Sequence, residues 1–466
     1  MPIAPALALL VSLAYPPPLS PWMMTLSVAD SGVVKVGACF PELDLSGVRV
    51  STVRGQRAVR SVEASANAGS PVPLQPRPDG IWIVPEGSAE CFTVTYDRAA
   101  LSRPPMSLDW SFDPRDVLFS PVGIEARSAH VRLEPTPGRR LWVPWPAVGP
   151  DTYHAPESAF RLPGHAFIGP SFASRAFAAS GTKVDLTVAH GFTTLDLDGA
   201  ERWLRRSLVL HAGLFVDFPC PAWSLVVVPA PAGTTGRGSP VVFGTTSRGG
   251  GPHIVAWLPA DIRAEALPGE WVLIHELFHL AQPWIEDDWF AEGLATYYGE
   301  VLRARGGVLT PVQLWAGLLD GFRRGASVGG TLPLGREEDE MTTRRTYWRV
   351  YWGGAAIALL ADVDLRSRKA GNLDDGVRAL SSRLGLTDAN SAMAAMADAT
   401  GDDAFRALAK VALASTAFPD VAGTLAALGV RDGPDGVTLD DAAPLAAIRR
   451  AIETGLPITV PPPSRR

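Results

Sequence analysis

WVLIHELFHLAQPWIEDDWFAEGLATYYGE, residues 271–300, decides the reading of this chain. Its first half is apolar apart from His275, Glu276 and His279, and it stops at Pro283. Proline lacks an amide hydrogen and clashes with the preceding turn, so a helix over 271–282 ends there. On that helix His275 and His279 are four residues apart and project from one face. Two imidazoles so placed suit one tetrahedral metal ion. Glu276 lies about 100° round the helix from His275. It can therefore reach a water beside the metal without binding the metal itself. A charged glutamate on so apolar a helix is costly unless it has a role or a partner.

A catalytic zinc takes three protein ligands and keeps one position open. The third ligand is expected from the next helix. Asp287 or Asp288 caps it, and Glu292, thirteen residues after His279, falls in its first turns. Pro283 to Asp287 suffices to reverse the chain and lay the second helix beside the first. Thr296 and Glu300, one and two turns on, are candidates to orient the ligands through hydrogen bonds. Glu286 and Glu300 are the substitutes should Glu292 not bind. The competing reading is a satisfied core histidine pair on an ordinary capped helix.

Working outward, the 466 residues allow two or three domains. Charged residues make up 19% and apolar residues 47%, ordinary for a folded chain. A net charge of −6 excludes a basic footprint for nucleic acid or a polybasic membrane patch. No apolar run approaches the roughly 20 residues of a membrane span. Residues 24–172 carry short β-branched or aromatic runs between turn residues, such as VVKVGACF, VRVSTV and CFTVTYD, and read as a β-rich domain. Residues 173–305 mix strands (VDLTVA, SLVVVPAP, HIVAWLP) with helices, the pattern of an α/β unit. Residues 306–466 read as all-α. The fold class expected is thus α+β and multidomain.

MPIAPALALLVSLAYPPP at the start, within residues 1–23, reads as a signal peptide without the usual positive end, with Ser12-Leu13-Ala14 as its cleavage site. Removal would place the protein in the periplasm or outside the cell. The alternative is an apolar tail packed on the body of a cytoplasmic protein. Cys39 and Cys91 could pair after export, leaving Cys220 over; none of the three has redox or zinc-motif spacing.

H-E-L-F-H at 275–279 with W-F-A-E-G-L-A-T-Y-Y at 289–298 resembles the gluzincin metallopeptidases, and most of all the glycyl aminopeptidase family. Tyr351-Trp352-Gly353-Gly354, AAIALLADVDLRSR and GNLDDGVRAL look like that family's downstream motifs, and ATGDDAFRALAKVALAS is a weaker match. The resemblance implies a thermolysin-like catalytic domain over 173–305 and a helical domain after it. It implies one zinc ion per chain on His275, His279 and Glu292, Glu276 as general base and acid, and a peptide or protein substrate cut aminopeptidase-fashion. Tyr351 matches the tyrosine that stabilises the oxyanion, and Tyr347, one turn earlier, is its substitute.

The chain also departs from the family. The spacer from His279 to Glu292 is shorter than usual. Gly353 stands where a lysine is expected. The stretch VVFGTTSRGGGPHIVAW holds no glutamate to bind a substrate's free amine. No PDZ module fits after residue 430. These departures leave an endopeptidase, another metallohydrolase, or a degenerate peptide-binding relative as alternatives. Gly250 and Gly251 either lie along a substrate backbone or form a hairpin tip. Arg344, Arg345 and Arg349 either bind a substrate carboxylate or start a salt-bridged helix.

Overall fold

The computed structural model describes residues 21–455 apart from 30–31, 41–42, 44, 66–69, 85–88, 102–109, 126, 135–136, 237 and 384. The described chain is mixed α and β, sheet-rich in its N-terminal region and helical in its C-terminal region. It forms two compact units.

The first unit takes residues up to 100, then 116–134 and 145–161. It holds an eight-stranded and a four-stranded sheet. Alternation explains the strands: in Cys91–Asp97 every second residue is buried and the others face outward. Cys39 and Cys91 stand directly opposite each other on antiparallel neighbours and are joined by a disulfide. Trp22 and Met23, the last two residues of the leader expected over 1–23, lie in strand Trp22–Val28 and pair with Ala129 and His130. The remainder of that leader and its cleavage site lie outside the described residues.

The second unit carries the 271–300 stretch. Its main sheet comprises β1 (Phe172–Ala179), β2 (Thr182–Ala189), β3 (Ala222–Ala230), β4 (Phe243–Ser247) and β5 (His253–Pro259) in the order β1-β2-β3-β5-β4. β2, β3 and β5 run parallel, while β1 and β4 are antiparallel edges. The central strands are buried almost throughout, as parallel strands covered on both faces must be. Helix α1 (Leu197–His211) crosses from β2 to β3. Helix α2 (Trp271–Ala281) packs against β4 and β5. Then follow α3 (Asp288–Arg305), α4 (Pro311–Ser327), α5 (Tyr347–Arg368) and α6 (Leu373–Ser381).

The boundary expected at 305/306 is not marked by a break in the core. One apolar cluster runs from Val184 on β2 through α2, α3 and α5 to Ile452. Segments 101–115 and 135–144, expected in the N-terminal domain, belong to the second unit.

Candidate active site

Helix α2 is capped at its start by Glu270 and braced midway by a residue of α1. At its N-terminus Glu270 accepts from the amides of Val272 (2.7 Å) and Leu273 (2.8 Å). These are two of the donors a helix start leaves without a partner. Ser239 Oγ donates to the same carboxylate at 3.0 Å. Burial pushes the Glu270 carboxyl up to about 7, against the pull of these hydrogen bonds. Midway, His211 of α1 reaches the Ile274 carbonyl at 3.1 Å. After Ala281 the chain turns extended at Gln282, before Pro283, as expected.

The short connection to α3 is pinned rather than loose. Trp284 and Ile285 pair with Leu386 and Thr387. The Asp287 carboxylate accepts from the Ala389 amide at 2.6 Å. These contacts reverse the chain within a few residues and set α3 beside α2. Phe278 on α2 stacks on Tyr298 of α3, with centroids 5.1 Å apart.

The reversal carries Glu292 to the histidine pair. Glu292 Oε2 lies 2.9 Å from His275 Nε2 and 3.3 Å from His279 Nε2, and the two ring nitrogens are 3.0 Å apart. Bond lengths of about 2.0–2.2 Å put neighbouring ligand atoms of a tetrahedral zinc roughly 3.3 Å apart. The triangle has that size, and all three corners offer lone pairs. Among the described residues this is the one group of three such side chains. The donor set therefore fits zinc. Burial alone would raise the Glu292 carboxyl, but His279 and His275 outweigh it and hold it well below the ordinary range.

Glu276 stands beside this triangle, 8% exposed. Its Oε2 meets Thr246 Oγ1 at 2.9 Å, and the same hydroxyl lies 2.8 Å from the Glu276 carbonyl. Thr246 belongs to edge strand β4. Burial pushes the Glu276 carboxyl above the ordinary carboxylate range while His275 and His279 pull it down.

Tyr351 comes from α5. Its ring stacks on His275 with centroids 6.4 Å apart, and Glu292 lies near enough to its hydroxyl to raise its pKa. Burial and the nearby carboxylates of Glu292, Asp288 and Glu276 push its pKa far up, so the phenol keeps its proton and acts as a donor. Two glycines permit this approach. A Cβ on Gly354 would collide with the Trp289 carbonyl, and one on Gly293 with the Gly354 backbone. Backbones of α3 and α5 thus touch next to Glu292 and one turn from Tyr351. Tyr347 is 39% exposed and meets the Tyr351 ring edge-on.

The remaining candidates go elsewhere. Glu300 pairs with Arg303 at 3.0 Å, Glu286 is exposed, and Thr296 makes no hydrogen bond to the three ligand side chains among the described residues. Gly250 lies in the buried turn between β4 and β5, and Gly251 approaches the Pro144 carbonyl. That turn packs on its own chain. Arg344 bonds to Glu337, and Arg349 forms an ion pair with the same carboxylate at 3.9 Å and bonds to the Thr416 carbonyl, the salt-bridged alternative. Gly353 faces Leu334, which a Cβ would crowd. Thr246 and Glu270 contribute to the site unforeseen, and Asp288, expected only as a helix cap, lies near Tyr351. None carries a motif, and Thr246 reaches Glu276 only through the sheet.

No family model matches the chain, and no curated protein matches it in sequence. Solved structures do match in three dimensions. An aminopeptidase N family protein from Idiomarina loihiensis superposes with a TM-score of 0.67 over 88% of this chain and 78% of that one, at 15% identity. An M1 zinc metallopeptidase from Deinococcus radiodurans gives 0.50 over 86% and 94%, at 16% identity. A mutant of the latter bound to a Tyr-Ser-Ala substrate gives 0.51 over 86% and 95%, also at 16% identity. The fold is that of the solved M1 zinc metallopeptidases. At such identity the likeness speaks for the fold.

Proposed function

We propose that this chain is a zinc peptidase of gluzincin type that hydrolyses peptide bonds in aminopeptidase fashion. The observation that carries the reading is the convergence of His275, His279 and Glu292 within 3.3 Å of one another, with Glu276 and Tyr351 beside them. The fold shared with M1 zinc metallopeptidases supports it.

His275, His279 and Glu292 would hold one zinc ion per chain. Zinc so held acidifies a water and polarises a carbonyl oxygen. Glu276 takes the proton of the attacking water, held for that task by Thr246, and returns it to the leaving amine. Tyr351 donates its phenolic hydrogen to the oxyanion that develops on the scissile carbonyl. Burial of α2 keeps bulk water away, which strengthens each of these interactions.

The substrate is a peptide or protein with an extended backbone beside β4, which is an edge strand with one side unpaired in its sheet. Phe243–Ser247 presents no carboxylate for a free amine. Endopeptidase action is the alternative reading. Hydrolysis rates on free-amine and N-blocked forms of one peptide separate the two. The Cys39–Cys91 bond supports export to an oxidising compartment.

The test is metal content and hydrolysis of three full-length chains. Wild type is expected to hold near one zinc per chain, Glu292→Ala far less. Glu276→Gln is expected to keep zinc and lose turnover. A fully active Glu276→Gln sinks the mechanism, and equal zinc in wild type and Glu292→Ala moves the third ligand elsewhere.

A further inference from the structure

The last turn of α2 has an acceptor its own helix cannot serve fully. In an α-helix the carbonyl of residue i accepts from the amide of residue i+4. For His279 that residue is Pro283, which has no amide hydrogen. The carbonyl of a metal-ligand candidate is therefore left with only the Gln282 amide at 3.3 Å, at the long end for such a bond.

The donor comes from another element. Arg248 directly follows β4, and its Nη2 donates to the His279 carbonyl at 3.0 Å. The same nitrogen donates to the Gln282 carbonyl. No carboxylate pairs with Arg248 among the described residues, so its charge is spent on the C-terminal carbonyls of α2. A cation there is favoured by the helix dipole, and charge-assisted bonds are the stronger kind. Two residues earlier on the chain, Thr246 holds Glu276. One strand segment thus grips α2 at the base and at the second histidine.

We propose that Arg248 is a positioning residue of the metal centre: standing in for the amide that Pro283 lacks, it fixes the last turn of α2 and so the His279 ring. This rests on the zinc reading above. Substituting residues that orient ligands weakens metal binding about tenfold to a hundredfold, and an effect of that size is expected here.

The experiment loads full-length wild type, Arg248→Met, Arg248→Lys and the double variant Arg248→Met with Pro283→Ala with cobalt(II). It records the visible cobalt spectrum and the dissociation constant by chelator competition. Arg248→Met is expected to alter the spectrum and weaken binding about tenfold or more. Arg248→Lys, a single point donor in place of the guanidinium, falls between. The double variant recovers much of the affinity, because the Pro283→Ala change restores an amide to the turn. Should Arg248→Met not fold, the lysine and double variants carry the comparison. A lowered melting temperature with spectrum and affinity unchanged overturns the proposal and leaves Arg248 a structural residue. A wild type that binds no cobalt overturns the zinc reading and this one together.

Discussion

The phenol of Tyr351 lies nearly parallel to the imidazole of His275, 15° between planes and 6.4 Å between centroids. The two come from α5 and α2, each of which packs on α3. Their relation depends on the glycine contact between α3 and α5 and on the pinned turn between α2 and α3. A donor held by ring stacking needs little reorganisation when charge develops on a substrate oxygen.

Tyr351→Phe keeps the stacked ring and removes the donor. Loss of one oxyanion donor costs about 10²- to 10³-fold in kcat. That drop is expected with zinc content and KM little changed, measured by steady-state peptide hydrolysis beside metal analysis. Tyr347→Phe, at the exposed neighbour, is the control and should stay near wild type. Equal kcat for wild type and Tyr351→Phe would remove Tyr351 from the mechanism.

Gly354→Ala attacks the route by which Tyr351 arrives. The added methyl meets the Trp289 carbonyl, which is helix backbone and cannot swing aside. Overpacking of this kind costs about 1–3 kcal/mol or more. The expected result is a melting temperature several degrees lower together with a kcat loss approaching that of Tyr351→Phe. Gly353→Ala, against the flexible end of Leu334, should cost less. Equal melting temperatures for the two variants would contradict the close approach.

What was legible in the sequence follows how local the cause is. The 271–282 helix, its stop at Pro283, and the facing of His275 and His279 follow from spacing alone. That Glu292 comes beside the histidine pair depends on a short reversal held by residues 385–389, which no local pattern announces. The tyrosine pair and the downstream motifs resemble the family's; the structure supplies their physical sense. Tyr297 bonds Asp362 at 3.0 Å, Tyr298 bonds Asp374 at 2.8 Å, and Arg366 and Arg305 pair with those acids inside the core. Domain limits were the least legible. Segments 101–115 and 135–144 return to the second unit from within strand-like sequence, and composition does not change there. Thr246 and Arg248 were invisible because their targets lie some thirty residues away across a sheet.

Thr246→Val tests how Glu276 is aimed. Valine fills the same space without the hydroxyl that meets the Glu276 carboxylate and carbonyl. Misplacing a catalytic group by about 1 Å can cost on the order of 10²-fold. A fall in kcat of about tenfold to a hundredfold is expected, with metal content retained. Thr246→Ser, which keeps the hydroxyl, should restore most of it. If valine and serine variants behave alike, the hydroxyl does not hold the base.

His211 gives a pH prediction for stability. It is buried between α1 and α2, with Nδ1 facing the Ser207 carbonyl at 3.0 Å and Nε2 facing the Ile274 carbonyl at 3.1 Å. Burial drives its pKa down to about 4, against those two carbonyls. Between about pH 4 and 6.5 the unfolded chain therefore binds this proton and the folded chain does not. His211 alone makes stability fall as pH drops from 6.5 toward 4, by about 3 kcal/mol over the window. The whole curve will not display this simply. His253 is also lowered to about 4 and adds to the fall, while Glu270 and Glu338, raised to about 7, bind protons preferentially in the folded state and oppose it. The informative quantity is the difference between wild type and His211→Gln in urea unfolding. That difference should shift toward the variant by about 3 kcal/mol between pH 6.5 and 4 and stay level above pH 7. A difference independent of pH would mean that His211 titrates alike in both states, with its two carbonyls holding the imidazolium inside the core.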